Sequence, residues 1–150
     1  MTTLITVRTK AGFTLIELLI TLAIVAIMAV ISVNYYQSWI LKIHRNDARQ
    51  SLIELAIKQM QFFADHGYYH QDLQVFADTD WPITSLSFAQ HYSLTVTVKT
   101  FAKHSVDKFV ITARARGQQL RDTQCAVFVI DHVQQLQAFD HLGQINTHCL

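Results

Sequence analysis

Phe13 to Val33 reads FTLIELLITLAIVAIMAVISV, 21 residues with a single charge, Glu17. About 20 apolar residues at 1.5 Å rise cross a ~30 Å hydrocarbon core, so the stretch can span a bilayer as one helix. It is long for the apolar core of a secretory signal peptide, and no small-x-small cleavage site follows it. Arg8 and Lys10 lie just before it. Cations on that flank predict a cytoplasmic N-terminus and place everything after the span outside.

The helical period continues beyond the apolar run. No Pro or Gly occurs from Phe13 to His66. Tyr36, Ile40 and Ile43, then Leu52 and Leu55, and Ile53, Ile57 and Met60 recur three and four apart, the spacing of an amphipathic helix. Asp65, His66 and Gly67 supply a stop. The pattern predicts one helix over Phe13 to Asp65, 53 residues and on the order of 80 Å long. Its second half should lay one apolar stripe on a sheet.

Gly67 to His91 shows no clear period and holds the only proline, Pro82; it reads as a long connection with a short element near Leu86. Alternation then sets in. Tyr92 to Phe101 places Tyr92, Leu94, Val96 and Val98 on one face, and Lys108 to Arg116 places Phe109, Ile111, Ala113 and Ala115 opposite Val110, Thr112, Arg114 and Arg116. Cys125 to Asp131 reads as a third strand and Leu136 to Phe139 as a fourth. Short alternating runs with short links predict an antiparallel meander with one face on the helix. The fold class is therefore α+β.

Apolar residues make up 51% of the 150 and charged ones 15%, against about 25% charged in an ordinary soluble domain. The deficit is local, because no charge but Glu17 lies between Ala11 and Leu41. The formal net charge is +1; without Arg8 and Lys10, ten cations face eleven acids, a net of −1. That balance gives no global attraction to nucleic acid.

The stretch Lys10-Ala11-Gly12-Phe13-Thr14-Leu15-Ile16-Glu17-Leu18 resembles the processing signature of type IV prepilins. The resemblance implies that a prepilin peptidase cuts between Gly12 and Phe13, that the same class of enzyme methylates the new amine of Phe13, and that residues 1–12 are a leader. Gly12 suits such a cut because it offers no side chain to a protease closing on the backbone. Residues 13–38 would be the transmembrane and filament-core half of the helix. Residues 39–150 would be the exported globular domain: the amphipathic half, the loop 66–91, the sheet 92–140 and a C-terminal region at 125–149.

Glu17 matters most. A carboxylate inside a bilayer costs roughly 2.5–3.5 kcal/mol at mid-helix, less near an end. The family reading gives it a partner, the Phe13 ammonium of a neighbouring subunit; the alternative is that Glu17 only reaches the headgroups. Tyr92 to Val96, Phe109 to Ala113, Asp122-Thr123-Gln124-Cys125, Phe139-Asp140 and Cys149, with Tyr36 to Tyr69, resemble the PilE-type minor pilins. Two positions depart from the wider pattern: Ala26 stands where many pilins have Gly, and Asn34 where many have Pro. Without that proline an uninterrupted helix is expected. The resemblance implies one disulfide, Cys125 to Cys149, fitting an even pair in an oxidising compartment; two free thiols are the alternative.

The implied role is a structural minor pilin subunit of a type IV pilus, serving assembly and hence twitching motility, adhesion or DNA uptake. Implied partners are other pilin and minor pilin subunits, the prepilin peptidase and methyltransferase, the inner-membrane assembly platform, and inner-membrane lipid before assembly. The place would be the inner membrane as a single pass, then the pilus on the cell surface. A type II secretion pseudopilin and a major pilin subunit are the neighbouring readings; a membrane-tethered enzyme is the distant one. No nucleophile elbow or phosphate-binding Gly-rich loop occurs, so no catalytic residue is expected, nor any cofactor. Eight histidines, among them His66 and His70, form no H-E-x-x-H, and no metal site is expected; Asp78 and Asp80 read as turn formers. Arg114, Arg116 and Arg121 form a modest cationic strip, the candidate contact for DNA.

Overall fold

The computed structural model describes residues 12–76, 85–99 and 108–150, with the side chains of 31–34 outside that description. Residues 1–11 of the leader, Asp78, Asp80, Pro82 and Phe101 therefore lie outside the described residues. The chain divides into two units, one ending at Gln37 and the other spanning Ser38–Leu150.

Helix α1 runs Leu15–His66. Thr14 caps it: its hydroxyl accepts the Glu17 N–H at 3.3 Å. Thr14-Leu15-Ile16-Glu17 has the spacing of a capping box, so Glu17 also sits in the first turn, where a carboxylate meets the positive end of the helix dipole. At the far end Gly67 takes φ +80° and donates its N–H to the Phe63 carbonyl at 2.8 Å. Glycine enters that left-handed conformation without a Cβ clash, which is why the helix stops there. In the first unit the apolar side chains from Phe13 to Val30 are exposed, and the helix that carries them is long and apolar enough to cross a membrane.

In the second unit α1 lies on a four-stranded antiparallel sheet in sequence order: β1 Tyr92–Lys99, β2 Lys108–Ala115, β3 Val127–Asp131 and β4 Leu136–Phe139. The register lines up Leu94, Ala113, Phe128 and Ala138 in one rung and Val96, Ile111, Ile130 and Leu136 in the next. Small alanines beside Phe128 and Leu94 leave room for the helix, which contributes Ala48, Leu52, Leu55 and Ala56 to the same core. Leu52 and Leu55 are fully buried, and truncating either to Ala would cost about 2–5 kcal/mol.

The expected stripe needs correction. Leu52 and Leu55 face the sheet, but Ile43, Ile53 and Ile57 are 43, 47 and 43% exposed, and Tyr36 is exposed as well. At 100° per residue Ile43, Ile53 and Ile57 lie on the far side of the helix from Leu52 and Leu55. α1 thus carries two apolar strips, and the sheet covers one. The third strand is also shorter than expected, because Cys125 sits in the turn before it. Among its described residues the loop holds one 3-10 turn, Leu73–Phe76, and a bridge from Leu86 to Ser93.

Both outer strands gain extra pairing. Ser87 N–H reaches the Tyr92 carbonyl at 2.9 Å and Leu94 N–H the Ser85 carbonyl at 2.8 Å, so residues 85–87 run beside the start of β1. On the other side Ile145 bridges Phe139, and Asn146 N–H reaches the Ala138 carbonyl at 2.8 Å. Cys125 and Cys149 are joined, with Cα atoms 5.8 Å apart, a separation ordinary for a disulfide. The bond ties this tail to the turn before β3.

Candidate functional site

Polar side chains facing the sheet from α1 set the geometry of the second unit. Asp47 is bound from three sides: Ser87 Oγ donates at 2.6 Å, Ala89 N–H at 2.9 Å and His91 N–H at 3.3 Å. Ser51 Oγ accepts the Phe88 N–H at 3.2 Å. Together they tie the turn 85–91 to the helix. Further along, the Gln59 amide grips the His70 peptide through both its N–H and its carbonyl.

Arg45 and Asp122 form a bidentate pair, Nε to Oδ2 at 2.7 Å and Nη2 to Oδ1 at 2.9 Å, with side chains only 12 and 4% exposed. Gln119 completes it, donating from Nε2 to Asp122 Oδ2 at 3.2 Å and to the Leu41 carbonyl at 3.0 Å. Its Oε1 lies 3.2 Å from His44 Nδ1, so that imidazole nitrogen is the donor. His44 stacks on His91 with centroids 3.6 Å apart. Burial pushes the His91 pKa below its usual range and His44 adds to the shift, against the pull of Asp47. Tyr92 is buried, and its hydroxyl is the one buried side-chain polar atom among the described residues that lacks a hydrogen-bond partner. Burial and then the Asp122 carboxylate push its pKa up.

The three expected arginines lie on and just after β2. Arg114 is exposed on the outer face of β2, opposite Ser93 and Val127. Arg116 follows β2, and its N–H donates to the His91 carbonyl at 3.0 Å. Arg121 closes the 3-10 turn Gly117–Arg121. All three are exposed, and none of their guanidinium groups has a partner among the described residues. Thr112, read with them as outward, is half-buried. At the other end of the chain Phe13 is 79% exposed, and the Glu17 carboxylate has no partner among the described residues.

Sequence reasoning named Asp122 only as a point of resemblance and missed its pairing with Arg45, along with Asp47, Gln119 and the histidine stack. A charged residue on the sheet-facing side of a helix is the one signal that could have pointed to Arg45 and Asp47. His66 and His70 are committed elsewhere: His66 Nδ1 lies 3.1 Å from the Phe62 carbonyl, and His70 Nδ1 accepts the Asp72 N–H at 3.1 Å.

An apolar leading helix, a four-stranded meander on its second half and a disulfide-tied tail define a type IV pilin. Residues 7–33 match the prokaryotic N-terminal methylation motif, and residues 35–129 match the family described as type IV minor pilin ComP, DNA uptake sequence receptor. The second match covers more than half of the chain, and the chain belongs to that family of minor pilins. No individual curated protein matches it.

Proposed function

We propose that this minor pilin is a structural subunit that joins a type IV pilus and engages DNA for uptake. The observation that carries the DNA half is the exposed, unpartnered trio Arg114, Arg116 and Arg121 in a chain whose family is described as a DNA uptake sequence receptor. In this reading the prepilin peptidase removes residues 1–12 and Phe13 is methylated. The freed ammonium then meets Glu17 of the next subunit. A charge pair in a low-dielectric setting is a strong register signal, because neither partner is well satisfied alone.

The chain waits in the inner membrane as a single pass, is extracted by the assembly platform into a bundle of pilin helices, and ends on the cell surface. The second apolar strip of α1 supports that step, since Ile43, Ile53 and Ile57 give neighbouring helices a surface to cover. The role is structural rather than catalytic.

The test uses filaments sheared from cells. Mature protein from wild-type filaments should begin at Phe13; an intact leader starting at Met1 sinks the reading. Glu17→Ala should enter the membrane but be missing from filaments. Arg114→Ala with Arg116→Ala should assemble normally and lose DNA uptake; unchanged uptake would remove the arginine edge from the reading.

A further inference from the structure

Between the start of the packed half of α1 and the turn before β3 lies an open hollow of about 330 Å³. Arg45 and Asp122 line it, and they are closed on each other through two hydrogen bonds. Their charges cancel. Lys42 and Arg121 also line it, both exposed, and neither side chain has a partner among the described residues. Asp122 is the only acid in the lining, so the hollow keeps a formal surplus of two positive charges.

Thr123 and Gln124 complete the rim. Their backbones are fixed. The Thr123 carbonyl accepts the His141 N–H at 3.0 Å, with His141 Nδ1 at 3.1 Å. The Gln124 carbonyl accepts from Asn146 Nδ2 at 3.2 Å, next to the disulfide at Cys125. The Thr123 hydroxyl and the Gln124 side-chain amide remain uncommitted among the described residues. Two cations and two neutral donors around one concavity, on a rim held by the tail, make a receptor for a small oxyanion.

We propose that this hollow holds one backbone phosphate of a nucleic acid, with Lys42 and Arg121 supplying the charge and Thr123 and Gln124 the hydrogen bonds. The assignment rests on the DNA reading above and extends it from the outer face of β2, through Arg121, onto α1. A phosphate contact fixes the position of the strand and carries no sequence information.

The experiment measures binding of labelled DNA duplexes of two unrelated sequences to the full-length protein in a neutral detergent, across a range of salt. Lys42→Gln with Arg121→Gln should flatten the slope of log affinity against log salt by about 0.9 and weaken binding roughly fivefold near 0.15 M salt, equally for both sequences. The thermal midpoint should not move, because neither side chain has a protein partner. Lys42→Arg should bind as wild type, which keeps the test valid should the double variant fold poorly. A double variant with wild-type slope and affinity overturns the hollow and leaves the DNA reading standing. A loss confined to one sequence also overturns it, since that would mean base recognition. Wild-type protein that binds neither duplex overturns both.

Discussion

At the scale of single residues, buried polar groups decide where the helix meets the sheet. His91 gives a measurable consequence. Burial lowers its folded-state pKa below the ordinary ~6.5, so the unfolded chain takes up this proton first. Its share of stability is therefore complete above about pH 6.5 and declines as pH falls toward the folded value. His91→Phe keeps a ring against His44 and removes the titration. Unfolding midpoints in urea from about pH 7.5 to 5 should fall more steeply for wild type than for the variant; parallel profiles would show that His91 carries no such linkage.

Little of this network could be read from the chain. Arg45 and Asp122 are 77 residues apart and Asp47 and Ser87 are 40 apart. A periodicity says which face a residue occupies, not which distant side chain arrives there. The arginines were easier: strand alternation alone puts Arg114 on the outer face. Lys42 carries no pattern at all, and its setting depends on a turn that lies close to it only after folding.

At the scale of elements, α1 is the lesson. Its length, its apolar first half and its stop at Gly67 were legible because composition, period and a left-handed glycine are local properties. Its orientation was not. Leu52 with Leu55 and Ile53 with Ile57 have the same kind of spacing, and both strips satisfy a helical period. Only the sheet chooses between them, and the small Ala48 and Ala56 beside Leu52 and Leu55 are what allow close approach on that side. The uncovered strip yields a prediction. Ile53→Glu with Ile57→Glu should leave the unfolding free energy of the second unit within about 0.5 kcal/mol of wild type, as expected for exposed positions. The same pair should cut incorporation into filaments severely. Filaments with a normal share of the variant would show that this strip does not meet other subunits.

At the scale of the whole molecule, the strand order, the four strands and the cysteine pair were all foreseen, because alternation and an even cysteine count survive without tertiary knowledge. The chain-entropy contribution of a loop this size is about 3.5 kcal/mol. Mass analysis should find no alkylatable thiol in exported protein before reduction and two after it. Reduction should lower the unfolding free energy by roughly that amount, and DNA affinity should fall with it if Thr123 and Gln124 depend on the tied tail. A reduced protein of unchanged stability would show that the tail holds its place without the bond.

The pairing at the two margins of the sheet has one more implication. Residues 85–87 occupy the beginning of β1's outer side, and residues 145–146 occupy part of the outer side of β4. Those stretches are thereby closed to cross-strand templating by another chain. There the chain's own segments already hold the backbone groups that edge-to-edge stacking would need.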